Sequence, residues 1–331
     1  MSKTRMINHD IHHAAKLLQD GQVVAFPTET IYGLGARFDD PKAIQKIYDI
    51  KGRPANNPLI AHIASLEQLD LLIRDTPTPE QYRLMESFWP GPLTLIFPKH
   101  PDILPEVCGG LDTIAVRMPD HPVARDLIHE AGIPLVAPSA NPSGCPSATH
   151  HQHVIDYFGD DIYCLKDGYT KVGLESTILM FQHDQPIILR AGAVTREEIE
   201  AILGQSISIA EPTEKPLSPG MMYRHYAPDA TMHIADSIDE IQDILQKYQQ
   251  KPYPLGLLLS DQTIQALDIP FGVQVKSLGN KSNLSEISRN IFPTLIAFDH
   301  TEVTHIWTEE FPQTGLGLAI MDKLTRASQI K

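Results

Sequence analysis

Residues 22–35 read QVVAFPTETIYGLG, and that stretch decides the fold. Residues 22–26 form a short apolar run of the kind buried inside a sheet. It breaks at Pro27 into a loop holding the hydroxyls of Thr28 and Thr30 and the glycines Gly33 and Gly35. A buried strand that stops in a polar, glycine-bearing loop is how open α/β sheets present a ligand site at a strand end. The pattern continues outward. Helical spacing over 11–19 precedes the strand and ends at Gly21, and a helix expected over 41–50 is halted by Lys51-Gly52-Arg53-Pro54. Strands are expected at 59–63, 93–97, 113–118, 134–137, 176–181 and 186–189, with helices near 123–131 and 151–158. Thr195 and Glu198 form a capping-box pair opening a helix that Gly204 closes.

Residues 211–228 read EPTEKPLSPGMMYRHYAP, too rich in proline for a packed element. The boundary therefore falls there: a first domain over 1–208, a proline-rich linker over 209–229 and a second domain over 230–331. Beyond the linker, strand-like ATMHIA, PLGLLLS and THIWT alternate with helices around 237–248, 284–298 and 317–328, which suggests a small parallel sheet. The class is α/β. A length of 331 residues suits two domains, and 42% hydrophobic with 21% charged residues excludes a disordered or collagen-like chain. The net charge of −14 has the wrong sign for binding nucleic acid over the whole surface, so any anion site must be a local pocket. No apolar stretch approaches the roughly 18 residues of a membrane helix, and the N-terminal residues lack a signal-peptide core, so a cytoplasmic protein away from membranes is expected. Cys108, Cys145 and Cys164 are scattered, with no C-x-x-C pair, and support neither a disulfide framework nor structural zinc.

Four polar clusters beside strand or helix ends could carry chemistry. Thr28 and Thr30 with their glycines could approach a small polar ligand, or bond their own turn. Lys51 and Arg53, two apart, share one face in an extended segment and would suit a polyphosphate. Equally, they would complement the negative end of the preceding helix. Ser139 and Asn141, in VAPSANPSG, bring a hydroxyl and an amide together, fit to orient a carboxylate or nucleotide or to close a hydrogen-bonded loop. The fourth cluster is distributed over Thr113 and Arg117 in TIAVRMP, Ser176 and Thr177 in LESTI, and Arg190 in ILRAGAV. An arginine inside or ending an apolar strand is costly to bury without an anion, whether a ligand or a neighbouring carboxylate.

Other features point to structure. His62 in PLIAHI faces the side of Ile60 and reads as a core histidine bonded to backbone. His150, His151 and His153, with His9, His12 and His13, lack a tight i, i+4 pair with a carboxylate, so no metal site is expected. Gly315-Leu316-Gly317 lacks the third glycine of a dinucleotide fingerprint and reads as a helix start. There is no G-x-S-x-G elbow, P-loop or kinase signature.

Taken in order, PTETIYGLG, KGRPANNPLIAHI, FWPGPLTLIF, LDTIAVRMPDHPVA, APSANPSG, GLESTI and ILRAGAVTREEIE resemble the YrdC-like domain of the threonylcarbamoyl-AMP synthases. The linker SPGMMYRHYAP and the ending GLGLAIMDKLTRA resemble the long, two-domain form of that family, so the likeness covers nearly the whole chain. It departs at Met222, where the family usually has lysine, at CPSATH, looser than the usual Ser-Pro-Thr, and at Asp322-Lys323, in place of a common Asn-Arg. The resemblance implies a YrdC-like twisted mixed sheet with helices, followed by a smaller Rossmann-like parallel-sheet domain. It implies a nucleotidyltransferase that joins L-threonine, bicarbonate and ATP, with Mg2+ on the phosphates, into L-threonylcarbamoyladenylate and pyrophosphate. The product would supply the modification of tRNA beside the anticodon through a downstream tRNA threonylcarbamoyl transferase, with no strong direct nucleic-acid binding.

By position, Thr30, His62, Arg117, Ser139 and Ser176 would hold threonine. Lys51, Arg53, Asn57, Thr113, Asn141, Ser147, Arg190 and Tyr226 would hold ATP, the choice between Ser147 and Thr149 staying open. Lys51 and Arg53 would be catalytic through charge compensation, because this transfer needs alignment and electrostatics rather than a protein nucleophile. Tyr223, Arg224, His225 and Tyr226 make the linker an expected lid over a water-sensitive carbamate. Two rivals stand beside this: an RNA-binding module, against which the net charge argues, and a hydrogenase-maturation carbamoyltransferase. The latter carries a YrdC-like domain with zinc-finger cysteines and an acylphosphatase module, for which three scattered cysteines leave no room.

Overall fold

The computed structural model describes residues 3–210 and 226–328. They form two compact units. The second comprises the short segments Gly144–Ser147 and Val172–Leu174 together with the chain from residue 226 onward, and the first comprises the rest.

The first unit is built on a ten-stranded mixed sheet. Its strands are β1 (Val24–Pro27), β2 (Tyr32–Arg37), β3 (Ile60–His62), β4 (Leu93–Pro98), β5 (Thr113–Arg117), β6 (Leu135–Val136), β7 (Tyr163–Cys164), β8 (Thr177–Gln182), β9 (Gln185–Arg190) and β10 (Ser208–Ile209). They lie in the order β10-β9-β8-β4-β5-β3-β6-β2-β1-β7. The helices are α1 (Lys3–Gln19), α2 (Pro41–Lys51), α3 (Pro79–Phe88), α4 (Pro105–Cys108), α5 (Pro122–Ala131), α6 (His151–Phe158) and α7 (Arg196–Leu203).

Side chains alternate across each strand, and this divides the core. Ala61, Leu95, Phe97, Val116 and Leu179 share one large cluster with Ile44 and Ile47 of α2 and Leu84 of α3. On the other face, α1 and α5 cover β1 and β6 through Leu18, Leu127, Ile128, Phe26 and Leu135. Farther along that face, from β3 to β9, stands a small separate cluster of Ile60, Ile96, Ala115, Ile178 and Leu189. The candidate site adjoins this small cluster.

The segment 27–35 is not all loop. β2 begins at Tyr32 and pairs antiparallel with β1, Phe26 opposite Gly33 and Val24 opposite Gly35. A Cβ on Gly35 would lie 2.6 Å from the Phe26 ring, and one on Gly33 3.2 Å from it. The glycines that read as turn punctuation instead make room for an aromatic ring. Helix α3 was not read from the sequence, although Thr78 and Gln81 form the same capping box that Thr195 and Glu198 form before α7.

In the second unit, β11 (Thr231–Ala235), β12 (Leu255–Leu259), β13 (Gln274–Ser277) and β14 (His305–Glu309) form a parallel sheet in the order β11-β14-β12-β13. Its helices are α8 (Ile238–Gln250), α9 (Asp261–Ala266), α10 (Leu284–Asp299) and α11 (Leu316–Ser328). Gly315 takes φ of 54° just before α11, and a Cβ on Gly317 would fall 1.8 Å from the Pro312 carbonyl oxygen. The Gly-Leu-Gly triplet is therefore a helix start.

Candidate active site

Two-residue spacing places polar side chains beside the small apolar cluster. Arg117 follows Ala115 by two, His62 follows Ile60, Thr94 precedes Ile96 and Ser176 precedes Ile178, while Arg190 is the register partner of Ile178. All therefore project from the same face of the sheet.

Arg117 organises one group. Its Nη1 donates to Thr30 Oγ1 at 2.9 Å, its Nε to the Gly91 carbonyl at 3.2 Å, and its Nη2 lies 2.5 Å from Glu29 Oε1. The Thr28 and Thr30 hydroxyls are 2.8 Å apart. His62 is the register partner of Arg117, and its Nδ1 sits 3.1 Å from the Ile60 carbonyl oxygen. Burial, and then the neighbouring Arg117 cation, push the imidazole down to about 3, so the ring is neutral. A neutral ring facing a carbonyl through Nδ1 carries its hydrogen there and presents Nε2 as an acceptor.

Arg190 organises a second group. Its Nε and Nη2 donate to the Ser176 carbonyl at 3.1 and 2.9 Å, and Nη2 also donates to Ser176 Oγ at 3.0 Å. That hydroxyl is 2.7 Å from Thr94 Oγ1. The loop is held by close backbone approach: a Cβ on Gly192 would fall 2.4 Å from Ser176 C and Thr177 N. Since these are backbone atoms, Gly192→Ala should destabilise the fold by about 1–3 kcal/mol. A lowered urea midpoint would verify this; an unchanged midpoint would refute it.

Lys51 organises a third group. Its Nζ donates to the Ser139 carbonyl at 2.6 Å and also to the Asn141 carbonyl. Arg53 turns elsewhere: its Nη2 donates to Asn57 Oδ1 at 2.6 Å and to the Pro58 carbonyl at 2.9 Å. The extended Lys51–Arg53 pair expected from the spacing is not what forms. α2 runs on through Lys51, and Gly52 caps it with φ of 58°, so the two cations leave the helix end toward different carbonyls.

The structure thus joins Thr30 and Arg117, with His62 beside them; Ser176 with Arg190; Lys51 with the Ser139–Asn141 loop; and Arg53 with Asn57. Thr113 lies at the far end of β5, half-buried. Thr149 is buried and its N–H donates to His153 Nδ1 at 3.3 Å. Ser147 and Tyr226 belong to the second unit, where Tyr226 packs 5.1 Å from the Phe292 ring with Lys323 Nζ 5.6 Å from its own centroid. Met222, Tyr223, Arg224 and His225 lie outside the described residues. Arg117 has the carboxylate partner that the sequence left open, namely Glu29, whereas Arg190 is satisfied by a carbonyl and a hydroxyl. Glu29 and Thr94 were not singled out; the available signals were the place of Glu29 in PTET and the spacing of Thr94 from Ile96.

His62 makes stability depend on pH. Its folded pKa lies below the unfolded value near 6.5, so the unfolded chain binds the extra proton and stability falls as pH drops below about 6.5 toward 3. Between pH 7 and 5 that amounts to about 2 kcal/mol, which His62→Gln should remove. Urea unfolding at both pH values checks it; equal losses in wild type and variant would contradict it. Among the described residues, no group of three or more His, Cys, Asp or Glu side chains is placed to hold a metal ion, and no helix is long and apolar enough to cross a membrane.

Residues 16–192 match a family model described as "Telomere recombination", and residues 194–329 match one described as "Threonylcarbamoyl-AMP synthase, C-terminal domain". A threonylcarbamoyl-AMP synthase of Bacillus subtilis is 46% identical over 325 residues, covering 96% of this chain and 92% of the relative. Another, from Pyrococcus abyssi, is 40% identical over 336 residues, covering 98% and 96%. The crystal structure of P. abyssi Sua5 complexed with L-threonine superposes with a TM-score of 0.89 at 41% identity, covering 96% of this chain and 94% of that one. Because the likeness runs through both halves of the chain in sequence and in fold, the protein belongs to the threonylcarbamoyl-AMP synthase family, in its long two-domain form.

Proposed function

We propose that this protein converts L-threonine, bicarbonate and ATP into L-threonylcarbamoyladenylate and pyrophosphate. The observation that carries it is the buried Arg117 group beside neutral His62, on the same sheet face as the Arg190–Ser176 pair and the small apolar cluster. Thr30, His62, Arg117, Ser139 and Ser176 hold threonine. By family resemblance, Lys51, Arg53, Asn57, Thr113, Asn141 and Arg190 hold the nucleotide, and the same resemblance adds Tyr226 and either Ser147 or Thr149. Threonine's amine captures the bicarbonate carbon as a carbamate, whose oxygen attacks the α-phosphorus while pyrophosphate leaves. Lys51 and Arg53 compensate the charge that develops on the phosphates, and Mg2+ enters with ATP as part of the substrate. The adenylate passes to a downstream tRNA threonylcarbamoyl transferase in the cytoplasm.

The test is pyrophosphate release from MgATP with threonine or bicarbonate omitted in turn. Release that requires both is expected; release indifferent to threonine would overturn the assignment. Salt-dependent RNA binding without ATP turnover would favour an RNA-binding module instead.

A further inference from the structure

Glu29 is a buried charge to which the proposed function gives no role. It is 3% exposed and pairs with Arg117, yet among the described residues no donor meets hydrogen-bond geometry with either carboxylate oxygen. A buried carboxylate with open acceptor positions is costly, so the site is built for a donor that arrives. The groups facing it are Arg117, His62 beside that guanidinium, and His121, which lies within electrostatic reach of Glu29 and 3.2 Å from Asp167 Oδ2. Arg117 and Glu29 together form a buried dipole that matches a zwitterionic α-amino acid: the guanidinium suits the carboxylate and Glu29 suits the ammonium.

We propose that Glu29 receives the ammonium group of threonine and takes the proton the amine must lose before it adds to the bicarbonate-derived carbon. This rests on the threonine assignment given under Proposed function. An N–H bond of the ammonium breaks, its electron pair stays on nitrogen, and the proton passes to a Glu29 carboxylate oxygen. Bicarbonate breaks its C–OH bond to give carbon dioxide and hydroxide, and the nitrogen pair forms the C–N bond to that carbon. The C=O π pair moves to oxygen, and the second N–H proton joins the hydroxide to leave as water, giving the carbamate. His62 does not serve as the base, because burial and Arg117 oppose its protonation.

Glu29→Gln keeps the shape and removes the base. The expected result is a fall in kcat of about 10²- to 10⁴-fold, falling on kcat more than on KM. The residual rate should climb with pH as the amine loses its own proton. An aminooxy analogue of threonine, unprotonated at neutral pH, should be turned over by the variant at close to the wild-type rate. If Glu29 only holds Arg117 in place, the loss falls on threonine affinity, the pH profile keeps its shape and the analogue gains nothing; that pattern overturns the proposal. Should Glu29→Gln not fold, wild type decides alone: the acidic limb of kcat with threonine vanishes with the aminooxy analogue, whereas a limb common to both overturns the proposal. Wild type that releases no pyrophosphate with threonine refutes the functional assignment; active wild type with an equally active Glu29→Gln refutes only the role of Glu29.

Discussion

Arg117→Gln is expected to lower threonine-dependent pyrophosphate release by about 10²- to 10³-fold, the loss seen when a preorganised donor at a reacting centre is removed. The reason lies in what Arg117 holds at once: the Thr30 hydroxyl, the Gly91 carbonyl and the Glu29 carboxylate, all from a side chain 4% exposed. Glutamine cannot span these partners and leaves Glu29 as an uncompensated buried anion, a change that destabilises by about 3–5 kcal/mol. Stability must therefore be read beside rate. The informative variant is Arg117→Lys, which keeps the charge but loses the planar fork. It should stay folded by circular dichroism while binding threonine weakly. Threonine turnover close to wild type in folded Arg117→Lys and Arg117→Gln would refute the assignment.

Lys51→Met is expected to slow pyrophosphate release by about 10²- to 10³-fold, corresponding to about 2–4 kcal/mol of transition-state stabilisation, with threonine binding retained. Lys51 is 3% exposed, and its ammonium is tied to the Ser139 and Asn141 carbonyls. A buried ammonium fixed by backbone carbonyls is pre-oriented, so it compensates phosphate charge without reorganising during the reaction. Arg53→Ala should show a loss of similar size. Here the separation from the Arg117 variants is the check: calorimetry should find threonine affinity unchanged in Lys51→Met and reduced in Arg117→Lys. Pyrophosphate release near wild type in both Lys51→Met and Arg53→Ala would contradict the charge-compensation role.

Much of this site was legible from local pattern. Arg117 and Arg190 end strands of otherwise apolar residues, and the cost of burying a guanidinium marks them from sequence alone. His62 was legible as a backbone-bonded ring, since alternation put it on the side of Ile60. Illegible features were those set by contacts distant in sequence. Glu29 meets Arg117 only because the 28–31 turn packs against the end of β5, and no periodicity encodes that pairing. Gly33 and Gly35 read as a loop because nothing local says that Phe26 will lie across them. Lys51 and Arg53 read as an extended pair because the Gly-x-Pro signal stops a helix without fixing which residue ends it. The alternation of strand and helix beyond residue 230 was enough to anticipate a parallel sheet, though not the insertion of β14 between β11 and β12.

One experiment bears most directly on whether the Arg117 and Arg190 groups serve a single reaction: a crystal structure of this protein with L-threonine and a non-hydrolysable ATP analogue. The threonine carboxylate should lie within hydrogen-bonding distance of Arg117, with its nitrogen toward Glu29 and the analogue's phosphates against Lys51 and Arg190. Threonine bound away from Arg117, or phosphates on another face of the sheet, would contradict the account.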